Sequence, residues 1–189
     1  MNIRTTTISG LFELLPKVIS DERGHFVKTF HQDIFSEHGL ATRFAEEYYS
    51  FSHNNVLRGL HFQKPPHDHV KMVYCVSGSI IDAVLDLRIG STTYGSHELF
   101  DLSAEKANTL YIPSGLAHGF YVTSDHAIMM YKVTTVYAPE HDAGVLWNSA
   151  GINWPSATPI VSKRDAEFVK FTDFTSPFSY HPEDGHGPR

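Results

Sequence analysis

The chain has 189 residues, 41% apolar and 19% charged, with one cysteine and a formal net charge of −6. That is the size of one globular domain, able to bury a core without disulfides or a structural metal. The acidic balance, with no block of like charge, argues against nucleic acid or an anionic membrane as a partner reached by bulk electrostatics. The lone Cys75 cannot form an internal disulfide, and its apolar surroundings read as those of a buried, inert thiol. No apolar run approaches the ~20 residues of a membrane span. The first residues lack the long apolar core of a signal peptide, so the expected compartment is the cytoplasm.

In chain order, strands are predicted over 16–20 and 25–30, joined by the turn Asp21-Glu22-Arg23-Gly24. A short helix follows over 32–38, stopped by Gly39. Strands over 43–52 and 57–63 lead to Pro65-Pro66. The apolar run from Lys71 and the run Ile81 to Arg88 read as neighbouring strands joined at Ser77-Gly78. In the second run Ile81, Ala83, Leu85 and Leu87 alternate with Asp82, Val84, Asp86 and Arg88. A period of two predicts one buried face and one polar face. Further strands are expected over 95–102, 108–112, 118–123 and 127–137, and a second short helix over 162–168. Many short strands at this spacing predict an all-β sandwich or barrel, not alternating βαβ units. No internal repeat or linker interrupts the chain, so the expected organisation is one domain over 1–175 and a polar tail over 176–189.

Histidine is over-represented, with 13 copies. His67-Asp68-His69, followed later by Pro113-Ser114-Gly115-Leu116-Ala117-His118, is similar to the paired metal-binding motifs of cupins. Two imidazoles two positions apart on a strand share a face, as a metal clamp needs. The position where such a motif supplies a glutamate falls instead in Val70-Lys71-Met72, and a lysine beside the site opposes a divalent cation. No metal is therefore expected, and His67 and His69 read as exposed loop histidines beside Pro65-Pro66. The alternative is an acid–base pocket: Arg58, His61, Lys71, His118, Tyr131 and Lys132, if the alternate strand positions face one interior. An imidazole can abstract a proton beside a carbonyl. A lysine or histidine can stabilise the enolate oxygen, and a phenol on the opposite side can return a proton and invert the carbon.

The chain resembles the dTDP-4-dehydrorhamnose 3,5-epimerase family, cupin-fold enzymes of nucleotide-sugar metabolism. The matching pieces run in family order through most of the sequence: Asp21-Glu22-Arg23-Gly24, Val56 to Gln63, Lys71, Val76-Ser77-Gly78, and Asp86-Leu87-Arg88 with Tyr94-Gly95. Ile112 to Phe120, Tyr131-Lys132, Tyr137-Ala138-Pro139, Leu146-Trp147-Asn148, Trp154-Pro155 and Ser162 to Asp165 follow. Arg58-Gly59-Leu60-His61 together with Ala117-His118-Gly119-Phe120 is the most specific pair. The resemblance implies a cupin-type jelly-roll with a few short helices and no metal or cofactor. It implies His61 as base, oriented by Asp165, with Tyr131 as opposing acid. Lys71 and His118 would polarise the C4 carbonyl, and Arg58, Gln63, Tyr137 and Lys132 would bind the nucleotide sugar. Arg23 would reach into the neighbouring subunit's site, which implies a homodimer with shared sites built by strand exchange. In that family the product passes to a reductase that completes the deoxysugar.

The chain departs from the family over 46–53. A Gln-x-Asn stretch is usual there, and here it reads Glu46-Glu47-Tyr48-Tyr49-Ser50-Phe51-Ser52-His53. Ile19 also stands where an aromatic is common. The nucleotide base and the choice of C3, C5 or both therefore stay open, as do a metal-dependent cupin isomerase or oxygenase, a 3,4-ketoisomerase and a non-catalytic sugar-nucleotide-binding cupin. Asp165, three positions after Ser162, fits a helix cap as well as a catalytic dyad.

Overall fold

The computed structural model describes residues 1–181. The described strands are β1 (Asn2–Thr5), β2 (Phe12–Leu15), β3 (Val18–Asp21), β4 (Gly24–Val27), β5 (Glu46–His53), β6 (Leu57–Gln63), β7 (Lys71–Ser77) and β8 (Ser79–Asp86). Then come β9 (His97–Ser103), β10 (Thr109–Ile112), β11 (Leu116–Val122), β12 (His126–Val133) and β13 (Asp142–Gly144). Helices α1 (Gln32–Glu37) and α2 (Lys163–Ala166) and a 3-10 turn (Phe171–Asp173) complete them. The expected strands and both helices are present; β1, β2 and β13 are additional. Their three or four residues are too few for a period of two to register in the sequence, and Glu13 lies within β2. Glu13 is tolerated there because Asn108 donates to its Oε1 at 2.7 Å.

One sheet has the order β1-β2-β10-β7-β12-β5 and the other β13-β6-β11-β8-β9, with antiparallel pairing throughout. This is the all-β, cupin-type jelly-roll. Between the sheets lies a core that includes Val73, Leu110, Ile112 and Met129 of the first sheet and Ile80, Val84, Leu102 and Phe120 of the second. Fully burying each such side chain contributes about 1.5–3 kcal/mol, so this layer supplies much of the folding drive. Each sheet is also covered on its outer face. Phe35 of α1 and Leu40 pack on Met72, Tyr74 and Tyr111. On the other side Val145, Ile152 and Phe178 pack on Leu60, Phe62, Leu85 and Ala117.

This double coverage corrects two expectations. The polar side of β8 does not face water: Asp82 and Asp86 are fully buried and Arg88 is 1% exposed. Arg88 donates from Nε and Nη2 to the two oxygens of Asp86, both at 2.9 Å, which neutralises the buried pair. Nor does the tail begin at 176. Ser176 Oγ donates to Leu87 O, Phe178 is buried, and Ile89 N donates to Phe178 O at 2.9 Å. The remainder of the expected tail, 182–189, lies outside the described residues.

The hairpin β3–β4 stands apart as its own two-stranded sheet. Val18, Ile19 and Phe26 on it are exposed. Among the described residues, no helix is long and apolar enough to cross a membrane.

Candidate active site

A cavity of about 740 Å³ opens between the sheets, lined by β5, β6, β7, β11 and β12 and by the loop after β12. His61, Lys71, Tyr131, Arg58, Gln63, His118 and Tyr137 all line it.

Arg58 and His61 are three positions apart on β6, and strict alternation would put them on opposite faces. Opposite β11, Arg58 aligns with Phe120 and His61 with His118, so three steps of β6 span two of β11. This bulge at Gly59-Leu60 turns both side chains into the cavity. It needs glycine in both strands. Gly59 has φ +140°, and a Cβ there would lie 2.6 Å from Gly119 Cα; a Cβ on Gly119 would lie 2.8 Å from Arg58 O. The two most specific sequence motifs are therefore the two halves of one close backbone contact.

Asp165 stands behind His61. Its Oδ1 lies 2.9 Å from His61 Nε2, and its Oδ2 accepts from Gly59 N–H at 3.0 Å. Its own N–H donates to Ser162 Oγ at 3.1 Å, so Asp165 serves the α2 cap through its backbone and the histidine through its carboxylate. Burial would raise the Asp165 carboxyl, but the His61 hydrogen bond and charge, with Gly59 and Ser162, hold it well below the usual range. For His61 burial wins over the Asp165 contact and, helped by the Lys71 and Arg164 charges, pulls its proton affinity below the ordinary value of 6.5. A neutral imidazole at neutral pH is the form a base requires.

Tyr131 is 6% exposed, and its hydroxyl lies 3.0 Å from Ser50 Oγ. Burial pushes its phenol far above the usual range, so it stays protonated. Tyr48 stacks on it, with centroids 4.7 Å apart and planes 13° off parallel. Burial, then the Glu46 and Asp142 charges, push Tyr48 up to about 12. The divergent stretch thus forms a wall of the site: Glu46, Tyr48 and Ser50 line the cavity. Glu47 is neutralised by Lys132, with Nζ 2.8 Å from Oε2.

Lys71 is 9% exposed, and burial pulls its ammonium down to about 8, opposed by the Asp82 and Asp142 charges. His118 Nε2 lies 2.7 Å from Asp82 Oδ2. Asp82 is the functional residue the sequence reading missed. Its place on the polar side of an alternating strand was visible, but such a side is usually solvated.

The expected binding set needs correction at one position. Lys132 does not line the cavity: as the neighbour of Tyr131 it points to the other side of the sheet, toward Glu47 and over the Phe30 ring at 5.4 Å. Gln63 lines the cavity, but the protein occupies its amide. Nε2 donates to His67 O at 2.8 Å and Oε1 accepts from Ala138 N–H at 2.7 Å, which fixes the loop bearing Tyr137. Arg23 does not line this chain's cavity; it sits in the β3–β4 turn with its side chain 85% exposed, paired to Asp21 at 2.5 Å.

The His67-Asp68-His69 triplet splits three ways. The His67 ring packs on His141 at 4.5 Å, Asp68 accepts from Ser114 Oγ, and His69 Nδ1 lies 3.1 Å from Thr135 Oγ1. Neither histidine is an exposed loop residue, and burial, with Lys71, lowers His69 to about 3. Among the described residues, no three His, Cys, Asp or Glu side chains are grouped to hold a metal ion.

Residues 5–173 match the family model described as dTDP-4-dehydrorhamnose 3,5-epimerase. The chain is 40% identical over 176 residues to the dTDP-4-dehydrorhamnose 3,5-epimerase of Shigella flexneri, covering 92% of this chain and 97% of that one. It is 38% identical over 170 residues to the dTDP-4-dehydrorhamnose 3-epimerase of Streptomyces niveus, covering 88% and 82%. It is similar to the crystal structure of a dTDP-6-deoxy-D-glucose-3,5-epimerase from Legionella pneumophila in complex with dTDP-4-keto-L-rhamnose. The TM-score is 0.90 at 34% identity, covering 95% of this chain and 99% of that one.

Proposed function

The chain belongs to the dTDP-4-dehydrorhamnose 3,5-epimerase family, and from that premise we propose that it inverts C3, C5 or both in a dTDP-linked 4-keto-6-deoxyhexose. The observation that supports this reading is that His61, with Asp165 behind it, and the protonated phenol of Tyr131 line one cavity. C3 and C5 both flank the C4 carbonyl, so one enolate-forming site can acidify either carbon.

In this reading neutral His61 takes the proton from carbon, and Asp165 orients the imidazole and stabilises its charged form. The electron pair moves onto the C4 oxygen, where Lys71 and His118 donate hydrogen bonds. Such oxyanion stabilisation contributes a few kcal/mol. Tyr131 then gives its proton to the opposite face of the same carbon, which inverts it. The phenolate left behind lies near the Arg58 guanidinium, which favours it. Solvent restores both groups for the next turnover.

Arg58 is held by Ser52 Oγ at 2.9 Å and Phe51 O at 3.2 Å, and it suits the diphosphate. Tyr137, exposed at the cavity edge, suits stacking on the base. We place Arg23 in the site of a second copy. The free-standing hairpin with exposed Val18, Ile19 and Phe26 supports a homodimer in which it lies on the partner, and the cytoplasm is the compartment we assign.

The test is incubation with dTDP-4-keto-6-deoxyglucose in deuterated water, followed by proton NMR. Deuterium at C3, C5 or both of an inverted product is expected, and the labelled carbon reports which centre reacts. No deuterium at either carbon would refute the assignment. A competition series of nucleoside diphosphates tests the base, with dTDP expected to bind tightest.

A further inference from the structure

Arg164 does something the family roles above do not include. Its guanidinium sits at the cavity rim with three contacts. Nε lies 3.2 Å from Asp165 Oδ1, Nη1 lies 2.5 Å from Asp142 Oδ2, and Nη2 lies 2.9 Å from His61 Nε2. The same His61 nitrogen lies 2.9 Å from Asp165 Oδ1.

These two contacts of Nε2 exclude each other. A guanidinium only donates, so Arg164 can bond Nε2 only through its lone pair, which puts the imidazole proton on Nδ1. A carboxylate only accepts, so Asp165 can bond Nε2 only when the proton is there. His61 Nδ1 has no hydrogen-bond partner among the described residues, and the ring lines the cavity. The Asp165-bonded tautomer therefore presents a free lone pair at Nδ1, which is the base. The Arg164-bonded tautomer presents an N–H there and cannot accept a proton from carbon.

We propose that Arg164 is a positioning residue that masks the base in the free enzyme and unmasks it when an anionic diphosphate draws its guanidinium away from His61. Three observations favour movement of this side chain over movement of His61. Arg164 is 50% exposed, whereas His61 is 23% exposed and Asp165 3%. Arg164 lines the same cavity as Arg58, so a diphosphate on Arg58 is within its field. Its anchor Asp142 also accepts from Tyr137 Oη at 3.4 Å, so the residue that flanks the base site shares the carboxylate that holds Arg164. On release, the Nδ1 proton passes to solvent and Nε2 takes one from solvent, so the ring stays neutral. The other groups facing His61 do not compete for Nε2. Lys71 acts by charge from β7, His118 on β11 pairs with Asp82 of β8, and Phe168 presents its ring from 5.8 Å.

The inference rests on the epimerase reading for its purpose but is testable without turnover. Nitrogen-15 NMR of imidazole-labelled protein separates the two neutral tautomers, and His61→Asn identifies which signals belong to His61. Wild-type enzyme without ligand is expected to show His61 with its proton on Nδ1. Inorganic pyrophosphate, and dTDP in a second titration, should convert it to the Nε2–H form. Arg164→Gln, on a half-exposed side chain, should show the Nε2–H form with no ligand. An Nε2–H tautomer already present in the free wild type, or one unmoved by both anions, overturns the proposal whether or not the variant folds. An active enzyme with an unmoved tautomer would overturn the masking alone and leave the epimerase reading standing. Loss of deuterium exchange with the tautomer change intact would do the reverse.

Discussion

Lys71→Met separates what Lys71 does for catalysis from what it does for stability. Burial lowers its ammonium from 10.5 to about 8, a difference of about 2.5 units. At 1.36 kcal/mol per unit, holding that charge inside at neutral pH costs on the order of 3 kcal/mol. Methionine fills a similar volume without the charge. The attraction of Asp82 and Asp142 is already contained in the value near 8, and part of the gain is offset by imperfect packing of methionine in the lysine's place. A net gain of about 2 kcal/mol is expected at pH 7, or roughly 4–8 °C in Tm for a chain this size. Between the folded value near 8 and the unfolded value of 10.5, the unfolded chain binds more protons at Lys71. Wild-type stability therefore rises with pH through that window, and the advantage of the variant shrinks toward zero above it. Urea unfolding of both proteins from pH 7 to 11, beside an epimerisation assay, measures this. The variant should be more stable and nearly inactive. A variant no more stable than wild type at pH 7, or an advantage unchanged up to pH 11, contradicts the reasoning.

The pH profile of kcat/KM should be a bell. His61 must be neutral, so activity falls as pH drops through a value below 6.5, and Lys71 must be charged, so activity falls as pH rises through about 8. A basic limb above pH 10 would remove Lys71 from its role. Tyr131→Phe should keep solvent exchange on the His61 face while inversion falls by about 10²–10⁴-fold, read by NMR in deuterated water. Equal loss of both would argue that the phenol acts before protonation. Gly59→Ala places a Cβ 2.6 Å from Gly119 Cα at φ +140°, and should lower stability by about 1–3 kcal/mol in urea unfolding along with activity. Wild-type stability in this variant would show that the backbone contact is not what brings Arg58 and His61 together.

Much of this architecture is readable from local pattern. Apart from the short β1, β2 and β13, the strands of the two sheets announce themselves by β-branched and apolar runs between turn residues, and Gly39 marks the end of α1. What the pattern hides is which side of a strand is wet. The alternation in β8 is real, yet Asp82 and Asp86 share with Val84 the side that faces the other sheet, while the C-terminal segment covers the apolar side at Ala83, Leu85 and Leu87. That is why Asp82 reads as a surface group and proves to hold His118. The same rule of two assigns Lys132 correctly to the face opposite Tyr131, where adjacency in a motif suggests one shared site. It fails at Arg58 and His61, because a bulge cannot be counted from sequence until Gly59 and Gly119 are seen to touch. Arg164 escapes for a different reason: its meaning depends on one imidazole nitrogen having two neighbours, and no spacing rule encodes that.

The central claim is that an imidazole at position 61 moves the proton on carbon. His61→Asn keeps a polar side chain of smaller size and removes the base. With wild-type and variant enzyme at equal concentration on dTDP-4-keto-6-deoxyglucose in deuterated water, the wild type should place deuterium on an inverted carbon next to C4. The variant, folded by circular dichroism, should show no exchange above the spontaneous background. Deuterium entering the sugar at a wild-type rate in the His61→Asn protein would contradict the account.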